Sequence, residues 1–187
     1  MYIFPILALA FAGLQGYATY NGLQRLQYLA KPAVMVCLLV WLYLATGLRG
    51  IALWFGIGVL FSLLGDVLLL WLDRFFVYGL AAFLLAHIAY IVGFREGFAA
   101  MSFWGFLLTA ILWLSGVRLM KTIISSIREK GQGRLVWPVV LYGVIISVML
   151  FAAMLTLSDL RWKPAASLLV AGGALLFFSS DIVLAWN

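Results

Sequence analysis

Apolar residues run along this chain in long stretches, separated by short clusters of charged and polar positions. Cutting at those clusters leaves stretches near 3–20, 32–48, 51–71, 75–94, 102–120, 135–157 and 164–186. Each approaches the roughly 20 residues that a helix needs to cross about 30 Å of hydrocarbon. A membrane β-barrel would instead show segments of about 10 residues in which apolar and polar side chains alternate. These stretches are apolar on every face, so their backbone polar groups must be satisfied within helices. The pattern predicts an all-α fold: a polytopic transmembrane helical bundle of seven helices, forming a single domain over 1–187. The abrupt stop at Trp186-Asn187, with no polar tail, adds the expectation of an eighth helix beyond the C-terminus.

Composition sharpens this reading. Hydrophobic residues make up 67% of the chain and charged residues only 10%, with a mean hydropathy of +1.17, far from the balance of soluble domains. The N-terminus carries no basic residues before its apolar stretch, so it reads as a retained first helix and not as a cleaved leader. Cys37 is the only cysteine, which rules out an intrachain disulfide.

A net charge of +6 raises the question of nucleic acid, but in so apolar a chain basic residues set topology and meet lipid headgroups. Loops 1, 3 and 5 with their flanks hold eight of them: Arg25, Lys31, Arg74, Arg118, Lys121, Arg128, Lys130 and Arg134. Loops 2, 4 and 6 hold four: Arg49, Arg95, Arg161 and Lys163. The bias puts the odd loops in the cytoplasm and the N-terminus outside, and the small size and slight extramembrane surface fit a bacterial inner membrane. Between helices 5 and 6, SSIREKGQGR reads as a mobile surface loop.

Two acidic residues break the pattern. Asp66 in SLLGDVLLL and Asp181 in FFSSDIVLAW are embedded in apolar sequence about 16 and 18 residues into helices 3 and 7. A charge near the middle of a spanning helix costs about 2.5–3.5 kcal/mol on insertion scales, so such residues face the bundle interior and mark a site. Both helices are odd-numbered and run in the same direction, which places the two carboxyls at similar depth in one leaflet. Sliding the chain by 115 residues lays Asp66 on Asp181, Gly58 on Gly173 and Trp71 on Trp186, as a repeat of four helices in parallel topology would.

Other polar groups gather towards the same leaflet. Asn21 and Lys31 stand at the loop-1 ends of helices 1 and 2, and Tyr142 enters from that side on helix 6. Ser62 is one turn before Asp66, Ser180 directly precedes Asp181, and Asn187 follows it by six residues. His87 and Tyr90 lie nearer the middle of helix 4. One histidine and one cysteine on different helices do not make a catalytic zinc site, so no metal or other cofactor is expected. No nucleophile motif such as G-x-S-x-G is present. What remains is a pair of carboxylic acids in a low-dielectric setting, suited to acid–base hydrolysis.

Taken in order, KPAVM, SLLGDVLLL, GLAAFLLAHIAYIVGF, LYGVIISVMLFAAM and GALLFFSSDIVLAWN resemble the YhhN-type lysoplasmalogenase family of integral membrane proteins. The resemblance covers nearly the whole chain from Lys31 onward. It implies hydrolysis of the vinyl ether bond of lysoplasmalogens, a step in ether-lipid metabolism that releases a fatty aldehyde and glycerophospho-ethanolamine or -choline. On that reading Asp66 and Asp181 are the acid and base, in an order left open. Asn21, Ser62, His87, Tyr90, Tyr142, Ser180 and Asn187 would position water or the glycerol oxygens, and Lys31 would meet the phosphate. The partners implied are a lysophospholipid and the bilayer, with no nucleic acid and an oligomeric state left undefined. Family members are expected to have eight helices. A proton-coupled transporter or ion pathway using the same carboxylates is the competing reading, and a non-catalytic lipid-binding protein is a third.

Overall fold

A computed structural model describes residues 3–70, 72–94, 103–129 and 131–186. Seven α-helices account for almost all of them: α1 (Ile3–Tyr20), α2 (Gln24–Thr46), α3 (Ile51–Leu69), α4 (Leu72–Phe94), α5 (Phe103–Glu129), α6 (Val136–Leu155) and α7 (Pro164–Trp186). Two single-turn 3₁₀ helices, Gly133–Leu135 and Thr156–Ser158, flank α6, and no strand occurs among the described residues. Six of the helices are long and apolar enough to cross a bilayer, counting described residues alone. The protein is a multi-pass membrane protein.

Two boundaries differ from the sequence expectation, each for a physical reason. Helix 2 was expected to open at Pro32, where a missing N–H costs nothing; α2 instead begins at Gln24 and carries Pro32 in its interior. Membrane helices tolerate such a proline because neighbouring groups satisfy the backbone it frees. Loop 1 therefore shrinks to Asn21–Leu23, turned by Gly22 at φ +65°, and Lys31 lies two turns inside α2. The polar segment after helix 5 is likewise helical as far as Glu129, since Ile123, Ile124 and Ile127 keep one face apolar while Arg128 favours the helix C-terminus. The chain turns only at Gly131, at φ +71°.

The chain divides into two compact units, 1–93 and 94–187. In the first, α1 and α2 form an antiparallel hairpin in which Ala18 and Ala30 are buried and Gln27 Nε2 donates to the Ala18 carbonyl at 3.2 Å. Its α3 presents a stripe of small residues, Gly58, Ser62 and Gly65, at helical spacing. Aromatic rings of α4 lie directly on that stripe: a Cβ at Gly58 would overlap the Tyr90 ring, and one at Gly65 would come within 2.6 Å of Phe83. Small residues permit this close approach where lipid supplies no hydrophobic drive. In the second unit, α6 buries Ile146, Met149, Leu150 and Ala153 on one stripe, and α7 buries Ser167, Ala171 and Ala174. The α6–α7 connection is held by Asp159, which accepts from Arg161 Nε at 2.9 Å and from its second guanidinium nitrogen at 2.6 Å.

Candidate functional site

Each unit carries one intramembrane aspartate, and each aspartate is engaged by the helix preceding its own. In the first unit Lys31 extends from α2 to α3, its Nζ 2.8 Å from Asp66 Oδ1. Asp66 is 4% exposed, whereas the Lys31 side chain retains 38% exposure, so the ammonium meets a buried carboxylate at the edge of the packed region. This arrangement makes a charged carboxylate more tolerable in hydrocarbon, since attraction to the ammonium offsets part of the desolvation cost.

The same unit clusters three further polar groups. Ser62 lies one turn before Asp66, and its Oγ is 3.2 Å from the Tyr90 hydroxyl, where either group can donate. His87 precedes Tyr90 by one turn, with ring centroids 6.4 Å apart. Ser62 and His87 are wholly buried. Phe55 also packs near Tyr90, at 6.3 Å between centroids. Lys31, Ser62, Asp66, His87 and Tyr90 thus belong to one unit, Lys31 beside Asp66 and both Ser62 and His87 beside Tyr90.

In the second unit the Tyr142 hydroxyl on α6 donates to Asp181 Oδ2 on α7. Both line a small cavity of about 70 Å³, together with Met120, Gly143, Ile146 and Phe178. An apolar cleft of about 360 Å³ shares Gly116, Met120, Gly143, Ser147 and Phe178 with it. These cleft residues carried no signal in the sequence, because glycine, valine and phenylalanine there look like any lipid-facing positions.

Several expected site residues have other engagements. Asn21 is exposed and its Nδ2 donates to the Tyr17 carbonyl at 2.9 Å, closing the end of its own helix. Ser180 is exposed on α7, and its neighbour Ser179 donates to the Leu175 carbonyl at 2.8 Å. Asn187 lies outside the described residues. Among the described residues no group of three or more His, Cys, Asp or Glu side chains is placed to hold a metal ion.

Comparison with known proteins follows the same lines. The chain is 34% identical over 160 residues to mouse "Lysoplasmalogenase TMEM86B", covering 85% of this chain and 62% of that protein. It is 31% identical to human "Lysoplasmalogenase TMEM86A" over 136 residues, 70% of this chain and 52% of that one. With the protein of Escherichia coli O157:H7 titled "Uncharacterized membrane protein YhhN" it shares 28% over 167 residues, 89% of this chain and 76% of the other. The chain thus spans less than two thirds of the length of these mammalian lysoplasmalogenases. No solved structure matches. The family model for YhhN matches residues 26–187, from the first turn of α2 through α7, and the chain belongs to the YhhN family.

Proposed function

We propose that the protein is a membrane hydrolase that cleaves the vinyl ether bond of lysoplasmalogens, releasing a fatty aldehyde and a glycerophospho-ethanolamine or -choline. What carries this reading is kinship with relatives named for that activity. The intramembrane carboxyls supply chemistry that suits it. A vinyl ether is hydrolysed by proton transfer to its β-carbon, which leaves an oxocarbenium ion. Water adds to that ion and gives up a proton, and the resulting hemiacetal collapses to aldehyde and alcohol. One proton donor and one carboxylate that steadies the cation or activates water are sufficient, as in glycosidases.

The unlike partners of the two aspartates support different roles for them. Asp66, matched by the Lys31 ammonium, acts as the carboxylate. Asp181, engaged by the neutral hydroxyl of Tyr142, acts as the proton donor. Lys31 has three N–H donors, and those beyond the Asp66 contact serve the substrate phosphate from its half-exposed position. Ser62, His87 and Tyr90 order the polar groups around Asp66. The excess of basic residues on loops 1, 3 and 5 and their flanks supports an orientation with those loops in the cytoplasm, and the proposed location is a bacterial inner membrane.

The test is aldehyde release by purified protein given 1-alkenyl lysophosphoethanolamine, with the saturated 1-alkyl ether as control. Aldehyde from the alkenyl lipid alone, lost by a factor of about 10²–10⁴ in Asp66→Asn and in Asp181→Asn, is the expected result. Undiminished turnover in both folded variants overturns the assignment.

A further inference from the structure

The cleft of the second unit runs along α6, from Tyr142 at the polar end past Val144 and Val148 to Phe151. That is nine residues, or on the order of 13 Å of helix axis. Its walls are apolar side chains apart from Ser147, whose hydroxyl is turned onto the Gly143 carbonyl at 2.7 Å. Gly116 on α5 keeps the facing wall low: a Cβ there would just reach Phe178, at 4.0 Å. The polar end lies near the helix termini, since Tyr142 is six residues from the start of α6 and Asp181 five from the end of α7. A lipid in the leaflet has the same polarity along the same axis, with glycerol near the helix ends and the chain directed towards the midplane.

The geometry points to this cleft as the seat of the single hydrocarbon chain of a lysolipid, which brings the bond next to the glycerol against Tyr142 and Asp181. The inference rests on the hydrolase reading and gives its substrate a place. A volume of about 360 Å³ is at the lower end of ligand cavities, which run from roughly 300 to 1,000 Å³. It suits one chain, and so selects lysolipids over two-chain phospholipids. The shared floor with the Tyr142–Asp181 cavity distinguishes this cleft from an ordinary lipid-facing furrow, because its occupant continues onto a polar centre.

Photolabelling the full chain with a saturated 1-alkyl lysophosphocholine bearing a diazirine near the chain end tests this without requiring turnover. Labelled peptides are expected from α6 between Val144 and Phe151. Overpacking the cleft with Val148→Trp, or with Val144→Trp as a second variant, costs about 1–3 kcal/mol of chain seating. At 1.4 kcal/mol per decade that corresponds to a loss of labelling of roughly fivefold to a hundredfold. Leu169→Trp, on the exposed face of α7, leaves the labelling unchanged. Label spread over exposed α7 positions in the wild-type protein, or α6 label indifferent to both Trp variants, overturns the proposal. Aldehyde release with such a dispersed label refutes the cleft and spares the hydrolase; cleft labelling without aldehyde release refutes the hydrolase and leaves a single-chain lipid site.

Discussion

Lys31 Nζ lies 2.8 Å from Asp66 Oδ1, joining α2 to α3 by an ion pair whose acid is buried and whose base is partly exposed. Removing the base takes the ammonium away from the buried charge, which for fully buried pairs costs about 3–5 kcal/mol. Solvent reaches Lys31, so the expected loss for Lys31→Met is smaller, roughly 1–2 kcal/mol. Asp66→Asn removes the charge itself and is milder on stability. The double variant Lys31→Met/Asp66→Asn therefore melts above Lys31→Met alone in detergent. Additive losses in the double variant would show that the pair does not couple.

Gly58 meets Tyr90 so closely that any Cβ overlaps the body of the ring. The Ser62 contact on the Tyr90 hydroxyl restrains that ring, so it cannot swing aside as a flexible side chain would. Gly58→Ala is expected to lower the unfolding midpoint by the equivalent of about 1–3 kcal/mol. Gly13→Ala on α1, with nothing within 4 Å of the added methyl, serves as the control and holds or raises the midpoint. Equal midpoints for both variants would remove the close α3–α4 approach from the account of stability.

Much of this architecture was legible because hydrocarbon demands long apolar helices and punishes stray charge. Asp66 and Asp181 stood out for that reason, and α1 and α7 start and end where the apolar stretches do. The errors came where two signals competed. Pro32 beside Lys31 reads as a helix start, yet α2 is already two turns old there, because a lysine with a long stem and a proline with neighbouring donors are both tolerated in a membrane helix. Ser125–Glu129 reads as loop by polarity, yet its isoleucine spacing carries the helix on. The Tyr142–Asp181 contact and the cleft beside it depend on side-chain packing between helices, which single-chain periodicity does not encode. The boundary between the two units falls after Gly93, at the end of α4.

Outside the membrane, the hydrogen bonds from the Arg161 side chain and backbone hold the Asp159 carboxyl below the usual carboxylate range. A depressed folded-state value contributes stability above the unfolded value, about 3.9, which is lost as pH falls through the folded one. Asp159→Asn should thus melt slightly below wild type at neutral pH, and the difference should close in acid once Asp159 is protonated in both states. The effect is small because the Arg161 side of the pair is open to solvent. A gap that widens in acid contradicts the stated role of this ion pair.

The hydroxyl of Tyr142 donates to Asp181, so its removal separates positioning from chemistry. Hydrogen bonds to charged or charge-developing groups contribute about 1.5–3 kcal/mol, which predicts a fall in kcat of roughly tenfold to a hundredfold in Tyr142→Phe. The ring itself stays, so the wall of the small cavity is kept and KM for alkenyl lysolipid should move little. Asp181→Asn removes the proposed proton donor and should lose more, and Tyr142→Phe placed on that background should add almost nothing, because its effect passes through the missing carboxyl. Steady-state kinetics on the four proteins decides the point. A Tyr142→Phe variant with normal kcat, or one whose loss multiplies that of Asp181→Asn in full, would assign the hydroxyl to helix packing between α6 and α7 alone.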